Sequence, residues 1–383
     1  MSGAAALPYS AAERRTPALS RRLDRLDPFL LVATLLLIGY GLVMTYSATF
    51  EDRALGADAS QFVWRGILWA VLGLVAMAVV AYLDYRWLGA AAPLLYLFAI
   101  GLLLAILVIG PESLGAQRAV SIAGQKVQFS EFAKVLVLIV LAKWFADRRA
   151  SIGSPGTLLG GLVLLGPPAY LVYRQPDLGT TLVFLASFVA VSFVAGARPW
   201  QLAALAGSVI ATTPLVWLFL KDYQRSRLMS FLDPYADPLG SGWNIIQSLI
   251  AVGSGGIFGK GLTAGTQSPL GYLPIAESDF IFANLAEDLG FVGALVLFGL
   301  YLVLLLAALR VAMRAPDAFG GLVGVGVVAM LGFQIFVNVG VAISMMPVTG
   351  IPLPFISHGG SSLVSICVAL GLLQSIAMRS RGE

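Results

Sequence analysis

Runs of about 20 mostly apolar residues recur along the 383-residue chain, and they constrain its fold more than any other feature. Such runs cross a membrane as helices, because a helix satisfies its own backbone hydrogen bonds in hydrocarbon. A soluble core could not bury this much apolar surface, since 58% of the residues are hydrophobic and only 11% are charged. We therefore predict an all-α polytopic membrane protein with ten transmembrane helices. They are predicted at 29–49, 62–83, 88–109, 131–146, 155–173, 178–196, 200–220, 280–309, 319–345 and 361–378.

The first 28 residues contain five arginines but no apolar stretch with a cleavage site, so they are predicted to be a cytoplasmic tail and not a signal peptide. With this tail inside, the basic residues of the short loops face the cytoplasm, as the positive-inside rule requires. They are Arg86, Lys143, Arg148, Arg149, Arg198, Arg310, Arg314, Arg379 and Arg381. The prediction is one membrane domain at 29–378 with a short cytoplasmic tail at 379–383. Residues 221–278 form a large extracytoplasmic loop between helices 7 and 8.

Composition argues against nucleic-acid binding and against a cysteine-based site. The net charge of +4 follows from this topology, and no basic patch with interleaved aromatic residues indicates nucleic-acid binding. The only cysteine, Cys367, lies in the last predicted span, which argues against a disulfide or a thiolate metal site.

The segment 243–293 places a glycine-rich polar stretch and an isolated carboxylate, Asp279, next to an apolar run. An ionisable group near hydrocarbon costs free energy unless it faces water, a partner or a substrate. Asp279 opens the eighth predicted span, so it is either functional or a carboxylate that stabilises the helix dipole. Glu287 and Asp288 follow in the same helix and point in different directions. One of the two can line the same cavity as Asp279 while the other meets a partner helix, and for the pair we favour structural pairing.

The glycine-rich stretch GSGGIFGKG does not fit the nucleotide-binding pattern GxxxxGK[ST]. Ser254 stands where the first glycine belongs, and Gly261 follows Lys260. We predict a re-entrant or interfacial loop whose backbone amides, with Lys260, meet a phosphate or a sugar. A loop that only turns the chain is an equally good interpretation.

A second group of charges opens two other predicted spans. Glu131 and Lys134 are spaced i, i+3 and can pair on one face of a helix, while Asp177 opens the sixth span from the same side. We predict a polar network inside the bundle, which is either a scaffold or the floor of a polar cavity. Arg118, on the preceding loop, is a candidate phosphate ligand, although contact with water or lipid headgroups is the simpler explanation.

The stretch MMPVTGIPLPFISHGGSSL contains prolines and glycines that prevent a regular helix, so it is predicted to be an irregular outer loop. It holds the only histidine, His358. A single histidine without clustered cysteines or carboxylates is not a zinc site. A hydrogen-bonded loop histidine is favoured over a catalytic one.

These motifs together resemble the SEDS family (shape, elongation, division and sporulation), in the same order and over nearly the whole chain. The matching segments are GAQR, QFSEFAK, QPDLGT, WNIIQSLIAVGSGGIFGKG, GTQ, LPIAESDFIFA, AEDLG and PVTGIPLPFISHGGSS. GKG, GTQ and PVTGIPLP are more similar to the elongation members than to the division members. The sequence departs from the family at His358, at Phe129 and at Ala119, where tyrosine, proline and tryptophan are usual.

The resemblance implies a peptidoglycan glycosyltransferase that polymerises lipid II at the outer leaflet of the bacterial cytoplasmic (inner) membrane. It implies a class B penicillin-binding protein as the transpeptidase partner and a divalent cation, Mg²⁺ or Mn²⁺, as cofactor. The family's catalytic aspartate corresponds to Asp279, which would act as general base on the acceptor sugar 4-hydroxyl. The candidate substrate-binding residues are Arg118, Lys134, Glu131, Asp177, Arg225, Arg227, Lys260, Gln267, Ser357 and His358.

Three alternatives remain at this stage. A polytopic bundle with buried charges and broken helices could instead be a lipid II flippase or another transporter, whose site should lie near the bilayer midplane. It could also be a division polymerase of the same family. A non-catalytic scaffold for a partner synthase would leave Asp279 dispensable.

Overall fold

The computed structural model describes residues 26–50, 59–109, 120–122, 125–220, 222–267, 272–273 and 278–380. Within these ranges the fold is almost entirely helical. The helices are α1 (Pro28–Ala48), α2 (Ala59–Tyr82), α3 (Tyr85–Ala90), α4 (Ala92–Ile109), α5 (Phe129–Asp147), α6 (Pro155–Arg174), α7 (Leu178–Ala195), α8 (Pro199–Phe219), α9 (Asp222–Leu232), α10 (Trp243–Ser254), α11 (Ile281–Met313), α12 (Ala318–Ala342) and α13 (Gly360–Ser380).

A helix occupies the position of every predicted span, and this agreement supports a polytopic membrane protein. Among the described residues, seven helices are long and apolar enough to cross a membrane: α1, α2, α6, α7, α11, α12 and α13. A shorter apolar helix covers Ala92–Val108. The total of ten spans stays a prediction.

The structure differs from the predicted elements in several places. The third predicted span is divided at Ala91 into α3 and α4. The predicted loop 221–278 contains α9, α10 and a 3₁₀ turn at Pro234–Ala236. The last helix continues to Ser380, past the predicted boundary. A two-stranded antiparallel hairpin, β1 (Val120–Ile122) and β2 (Gln125–Val127), precedes α5.

Ion pairs bring several helix ends together at one end of the bundle, which we call the basic end. They are Arg310 with Asp27 at 2.6 Å, Arg86 with Asp317 at 3.3 Å, and Arg379 with Asp84 at 3.2 Å. The start of α1, the ends of α2, α11 and α13, and the start of α12 therefore lie at this end. The opposite ends of the same helices carry the candidate site.

Close helix packing in the bundle depends on small residues. A Cβ atom at Gly371 in α13 would lie 2.6 Å from the Met77 carbonyl oxygen of α2. A Cβ at Gly326 in α12 would lie 2.0 Å from the Leu138 side chain of α5. The hydrophobic effect contributes little to helix association in lipid, because lipid tails are as apolar as the helix surfaces. Close approach at small residues stabilises the bundle by van der Waals contact instead.

The helix α11 is broken at Gly290, whose backbone angles are φ 65° and ψ −162°. The segment 253–261, which we call the glycine segment, supplies the hydrogen bonds that the break removes. Its Lys260 and Gly261 amides donate to the carbonyls of Glu287 and Asp288 at 3.0 and 2.9 Å. Its Gly256 and Ile257 carbonyls accept from the Phe291 and Val292 amides at 2.9 and 3.0 Å. Irregular backbone is tolerated at a membrane when protein satisfies it in this way.

The break separates a part of α11 that is long enough to span the membrane from a first part that carries Glu287 and Asp288. The whole helix has 33 residues and is about 50 Å long, whereas the hydrocarbon core is about 30 Å thick. Residues 291–313 alone reach about 35 Å, which is enough to cross the core. Residues 281–289 are not needed to cross, so they can lie beside the glycine segment.

We expect Gly290→Ala to lower the melting temperature of the purified protein. The backbone angles at Gly290 lie in a region that is almost exclusive to glycine, which costs about 1–3 kcal/mol for another residue. The new Cβ would also lie 2.3 Å from the Gly259 amide nitrogen. Gly299→Ala is the matched control, because a Cβ there meets nothing within 4 Å on the same helix. Equal melting temperatures for the two variants would contradict the role of the break.

Candidate functional site

Asp279 lies in a short turn, 278–280, directly before α11 and not within its first turn as predicted. The helix N-cap is Phe280, which makes no side-chain cap. The Ser278 hydroxyl donates to Oδ1 of the half-buried Asp279 at 3.0 Å. The Asn338 side-chain amide of α12 donates to the Asp279 backbone carbonyl at 3.2 Å. A neighbouring helix therefore holds the backbone that carries this carboxylate.

The irregular segment 345–359, which we call the proline loop, also holds the Asp279 turn. The Ser357 hydroxyl donates to the Ser278 carbonyl at 2.6 Å and accepts from the Leu353 amide at 2.8 Å. The Asn338 amide donates to the Ile351 carbonyl at 2.8 Å as well as to Asp279. Ser357, a candidate substrate ligand from the sequence, is thus observed in a contact that positions the turn.

Asp177 is the N-cap of α7, and its carboxylate is fully engaged. It accepts from the Thr180 amide at 3.0 Å and hydroxyl at 2.9 Å, and from the Gln128 side chain at 2.8 Å. A Cβ at Gly179 would lie 2.8 Å from the Thr349 carbonyl oxygen, so the proline loop passes directly over the first turn of α7. The proline loop therefore contacts both the Asp177 cap and the Asp279 turn.

Glu131 and Lys134 form the ion pair that their spacing predicts. Nζ of Lys134 lies 2.9 Å from Oε1 of Glu131, and both residues are buried, at 3% and 1% exposure. The Ser365 hydroxyl of α13 donates to Oε2 of Glu131 at 3.4 Å. The hydroxyl of Ser130 donates to Asp177 at 3.3 Å. The predicted network is thus two neighbouring clusters, with Lys134 bound to Glu131 and Asp177 bound to neutral donors.

Glu287 is the centre of a third cluster, which fixes the end of the glycine segment. Its Oε1 accepts from Nζ of Lys260 at 2.6 Å, and from the Thr266 amide at 2.7 Å and hydroxyl at 3.0 Å. The Gln267 amide donates to Oε2 at 3.2 Å. Glu287 is completely buried. Lys260 and its neighbouring amides, which the sequence assigned to a phosphate or sugar, are therefore observed in contacts within the protein.

Asp288 joins the same region to α1. The Ser47 hydroxyl donates to its Oδ2 at 2.5 Å, and the Asn284 side chain donates at 3.3 Å. The Thr263 amide donates to the Ser47 hydroxyl at 2.8 Å. Glu287 and Asp288 thus point to different partners, and the predicted structural pairing of both is observed.

The candidate arginines Arg225 and Arg227 lie at the end of the bundle that carries Asp279, and each contacts a different element. Nη2 of Arg225 donates to the Trp217 and Leu218 carbonyls at 3.2 Å, which places the guanidinium at the end of α8. Nη1 of Arg227 donates to the Val348 carbonyl of the proline loop at 3.4 Å. Arg118 lies outside the described residues.

His358 packs edge-to-face against Phe62 of α2, with ring centroids 5.6 Å apart. Burial, together with the nearby charge of Arg65, lowers the pKa of His358 below its usual 6.5. The imidazole is therefore neutral at neutral pH, and its ring packs against Phe62, while the hydrogen bond expected of this loop histidine stays a prediction. A contact with substrate stays a prediction.

The described residues contain no group of three or more His, Cys, Asp or Glu side chains that could hold a metal ion. Magnesium commonly binds through one or two carboxylates together with substrate phosphates. The described carboxylates at this end therefore form no all-protein cage, and a metal shared between one of them and the substrate phosphates stays a prediction.

Sequence reasoning missed two amides of α12 that lie next to the site. Asn338 binds both the Asp279 turn and the proline loop, and Gln334 is completely buried one helical turn away. No described group hydrogen-bonds to either amide atom of Gln334. The available signal was the i, i+4 spacing of two amides within an apolar span, because buried polar groups inside membranes are costly and commonly functional.

Comparison with known proteins identifies the family. The FtsW/RodA/SpoVE family, described as cell cycle proteins, matches residues 28–382. The peptidoglycan glycosyltransferase MrdB of Escherichia coli K12 is 41% identical over 353 residues, which cover 92% of this chain and 93% of MrdB. Stage V sporulation protein E of Bacillus subtilis is 38% identical and covers 93% of this chain and 98% of its own length.

Solved structures agree with the sequence comparison. A chain from a peptidoglycan synthase complex, in which polymerization and crosslinking are coordinated, superposes with a TM-score of 0.75 at 35% identity and covers 94% of this chain and 99% of its own. The crystal structure of Thermus thermophilus rod shape determining protein RodA superposes with a TM-score of 0.68 at 28% identity, covering 94% and 98%. The predicted resemblance is confirmed, and the chain belongs to the FtsW/RodA/SpoVE family, the SEDS proteins.

Proposed function

We propose that this protein is a peptidoglycan glycosyltransferase that polymerises lipid II into glycan strands during cell elongation. The E. coli relative, which aligns over nearly the whole of both chains, is named a peptidoglycan glycosyltransferase. The T. thermophilus relative is named a rod shape determining protein, which supports elongation over division.

The placement of Asp279 carries this proposal. It is a half-buried carboxylate at the end of α11 opposite the basic end, on a turn that Asn338 and Ser357 hold by hydrogen bonds. A catalytic base needs this kind of support, because a small displacement from the reacting proton reduces the rate strongly. The proline loop, which contacts this turn, also passes over the first turn of α7, where Asp177 is the N-cap.

In the proposed reaction Asp279 removes the proton of the acceptor sugar 4-hydroxyl. The oxygen attacks the anomeric carbon of the donor lipid II, and undecaprenyl pyrophosphate leaves with the bonding electron pair. An alcohol is a poor nucleophile until a positioned base takes its proton, a contribution of about 10² to 10⁴ in rate.

The pyrophosphate leaving group requires positive charge at the same end of the bundle. The candidates are Arg225, beside the end of α8, and Arg227, beside the proline loop. Arg118 is a further candidate from the sequence. Lys134 and Lys260 stand at this end as well, but each is already paired with a buried glutamate and adds little net positive charge while that pair is intact. A Mg²⁺ or Mn²⁺ bound by the pyrophosphate would add charge neutralisation there.

The distribution of polar groups favours this enzyme over a lipid II flippase. A transporter should place its site near the midplane and open it to both sides. Glu131, Asp177 and Asp279 instead stand at or near the starts of α5, α7 and α11, at the end opposite the basic end.

We place this protein in the bacterial inner membrane, with the ten predicted spans crossing it and both termini in the cytoplasm. The basic end faces the cytoplasm, as the positive-inside rule requires. The domain is 29–378, with cytoplasmic tails at 1–28 and 379–383. A class B penicillin-binding protein is the proposed partner, because a similar chain belongs to a complex that couples polymerization to crosslinking.

A cysteine introduced at residue 239 tests this topology. Leu239 is 84% exposed in the segment proposed to be external, and the native Cys367 is completely buried. Leu239→Cys should react with a membrane-impermeant maleimide in intact spheroplasts, whereas Ala150→Cys, exposed near the basic end, should react only after lysis. Labelling of residue 150 from outside would reverse the proposed orientation and remove the site from the outer leaflet.

Polymerisation of lipid II by the purified protein tests the activity itself. The expected product is a glycan ladder on a gel, formed in the absence of other polymerases. Reconstituted vesicles with lipid II in one leaflet test the alternative. Transbilayer movement without polymerisation would support the flippase.

A further inference from the structure

A large apolar groove near the basic end has no role in the proposed reaction. It has a volume of about 510 Å³, within the range of about 300–1,000 Å³ that is typical of ligand pockets. Residues of α3, α4, α5 and α6 line it, and most of the lining is apolar. Ala90 and Leu97 on its wall are exposed at the outer surface of the bundle. The groove is thus accessible to a membrane lipid from the side.

Charge is concentrated at one edge of the groove, at the last turn of α5. Lys143, Asp147 and Arg148 line this edge. Lys143 pairs with Asp147 at 2.6 Å, and both side chains are substantially exposed. Arg148 makes no ion pair within the described part of the chain, so this edge carries one positive charge in excess. An apolar groove with a cationic edge at membrane depth is complementary to a lipid with an anionic headgroup.

The excess charge is held in a fixed position. The Arg148 guanidinium lies 3.4 Å from the centre of the Trp144 ring, in a cation–π contact. The Trp144 indole donates to the Thr157 carbonyl of α6 at 3.0 Å. A Cβ at Gly160 would lie 2.3 Å from the same indole, so this glycine makes room for it. The cation is therefore preorganised at the edge, which lowers the entropic cost of binding.

We propose that this groove binds one anionic phospholipid of the membrane. The acyl chains lie against the apolar wall of α4 and α6, and the phosphodiester lies at Arg148 with Lys143 beside it. The headgroup level fits the position of Trp144, because tryptophan is enriched where the membrane meets water. The bound lipid ties α4, α5 and α6 together at the basic end.

The test uses the full chain purified in detergent and titrated with phosphatidylglycerol or phosphatidylcholine. Native mass spectrometry counts retained lipids, and thermal unfolding follows the stabilisation that a ligand of the folded state produces. Phosphatidylglycerol should bind with a stoichiometry of one and raise the melting temperature more than phosphatidylcholine. Arg148→Ala should weaken its affinity about five-fold, the factor for one surface charge near an anionic lipid.

Two further variants make the result decisive. Ala90→Trp fills the groove without removing a charge and should abolish retention of the lipid. Arg174→Ala is the matched control, because Arg174 also stands beside an aromatic residue four positions earlier, Tyr170, at the other end of α6. It should bind phosphatidylglycerol like the wild type. Wild-type affinity in both Arg148→Ala and Ala90→Trp, or equal retention of the two lipids by the wild type, would overturn the proposal.

Discussion

Asp279→Asn is expected to abolish glycan polymerisation while the protein still folds. Asparagine keeps the shape of the side chain and can still accept a hydrogen bond from Ser278. It cannot take a proton from the acceptor hydroxyl, so the rate should fall by about 10² to 10⁴. Asn338 and Ser357 hold the backbone of the turn, and these contacts do not involve the carboxylate. The melting temperature should therefore change little.

The measurement is the initial rate of lipid II polymerisation by purified protein, with the melting temperature measured on the same preparation. Asp237→Asn is the control, since Asp237 is an exposed carboxylate in the segment between α9 and α10. It should keep the wild-type rate. If Asp279 only stabilises the helix dipole, the substitution costs about 0.3–1 kcal/mol and turnover persists. A near-parental rate in Asp279→Asn would favour the flippase or the scaffold.

The positions of the helices could be predicted from the sequence because one physical constraint dominates them. Backbone groups in hydrocarbon must bond within their own segment, so an apolar run of sufficient length indicates a helix. The break at Gly290 could not be predicted in this way. Glycine is common in spanning helices. The break depends on hydrogen bonds from the glycine segment, which begins more than 30 residues earlier in the chain.

The candidate site was predictable in its charged residues but not in their partners. Asp279 and the Glu131–Lys134 pair can be recognised in the sequence because a charge beside an apolar run is unusual. Asn338 and Ser47 cannot be recognised as partners from the sequence, since they lie 59 positions from Asp279 and 241 positions from Asp288, respectively. Such contacts depend on how helices distant in sequence pack, and neither periodicity nor local spacing encodes that packing. The contacts of Lys260 and the neighbouring amides with α11 could not be predicted for the same reason, and their contact with a phosphate or sugar stays a prediction.

Lys134→Ala is expected to destabilise the protein more than any other single change at the ionic clusters. Lys134 and Glu131 are both almost completely buried, so removal of the lysine leaves an uncompensated carboxylate in a medium of low dielectric constant. Breaking a buried pair in this way costs about 3–5 kcal/mol. Lys143→Ala is the matched control on the same helix, because its pair with Asp147 is exposed and contributes about 0.5 kcal/mol or less.

A double variant separates the structural role of this pair from a role in substrate binding. In Glu131→Leu/Lys134→Met both charges are replaced by apolar side chains, which is often neutral or stabilising for a buried ion pair. The melting temperature should therefore recover most of what Lys134→Ala loses. If the pair is only a scaffold, polymerisation recovers with it. If Lys134 contacts the pyrophosphate, the double variant is stable and inactive. Loss of activity in Lys134→Ala without a change in its melting temperature would also indicate that Lys134 contacts the substrate.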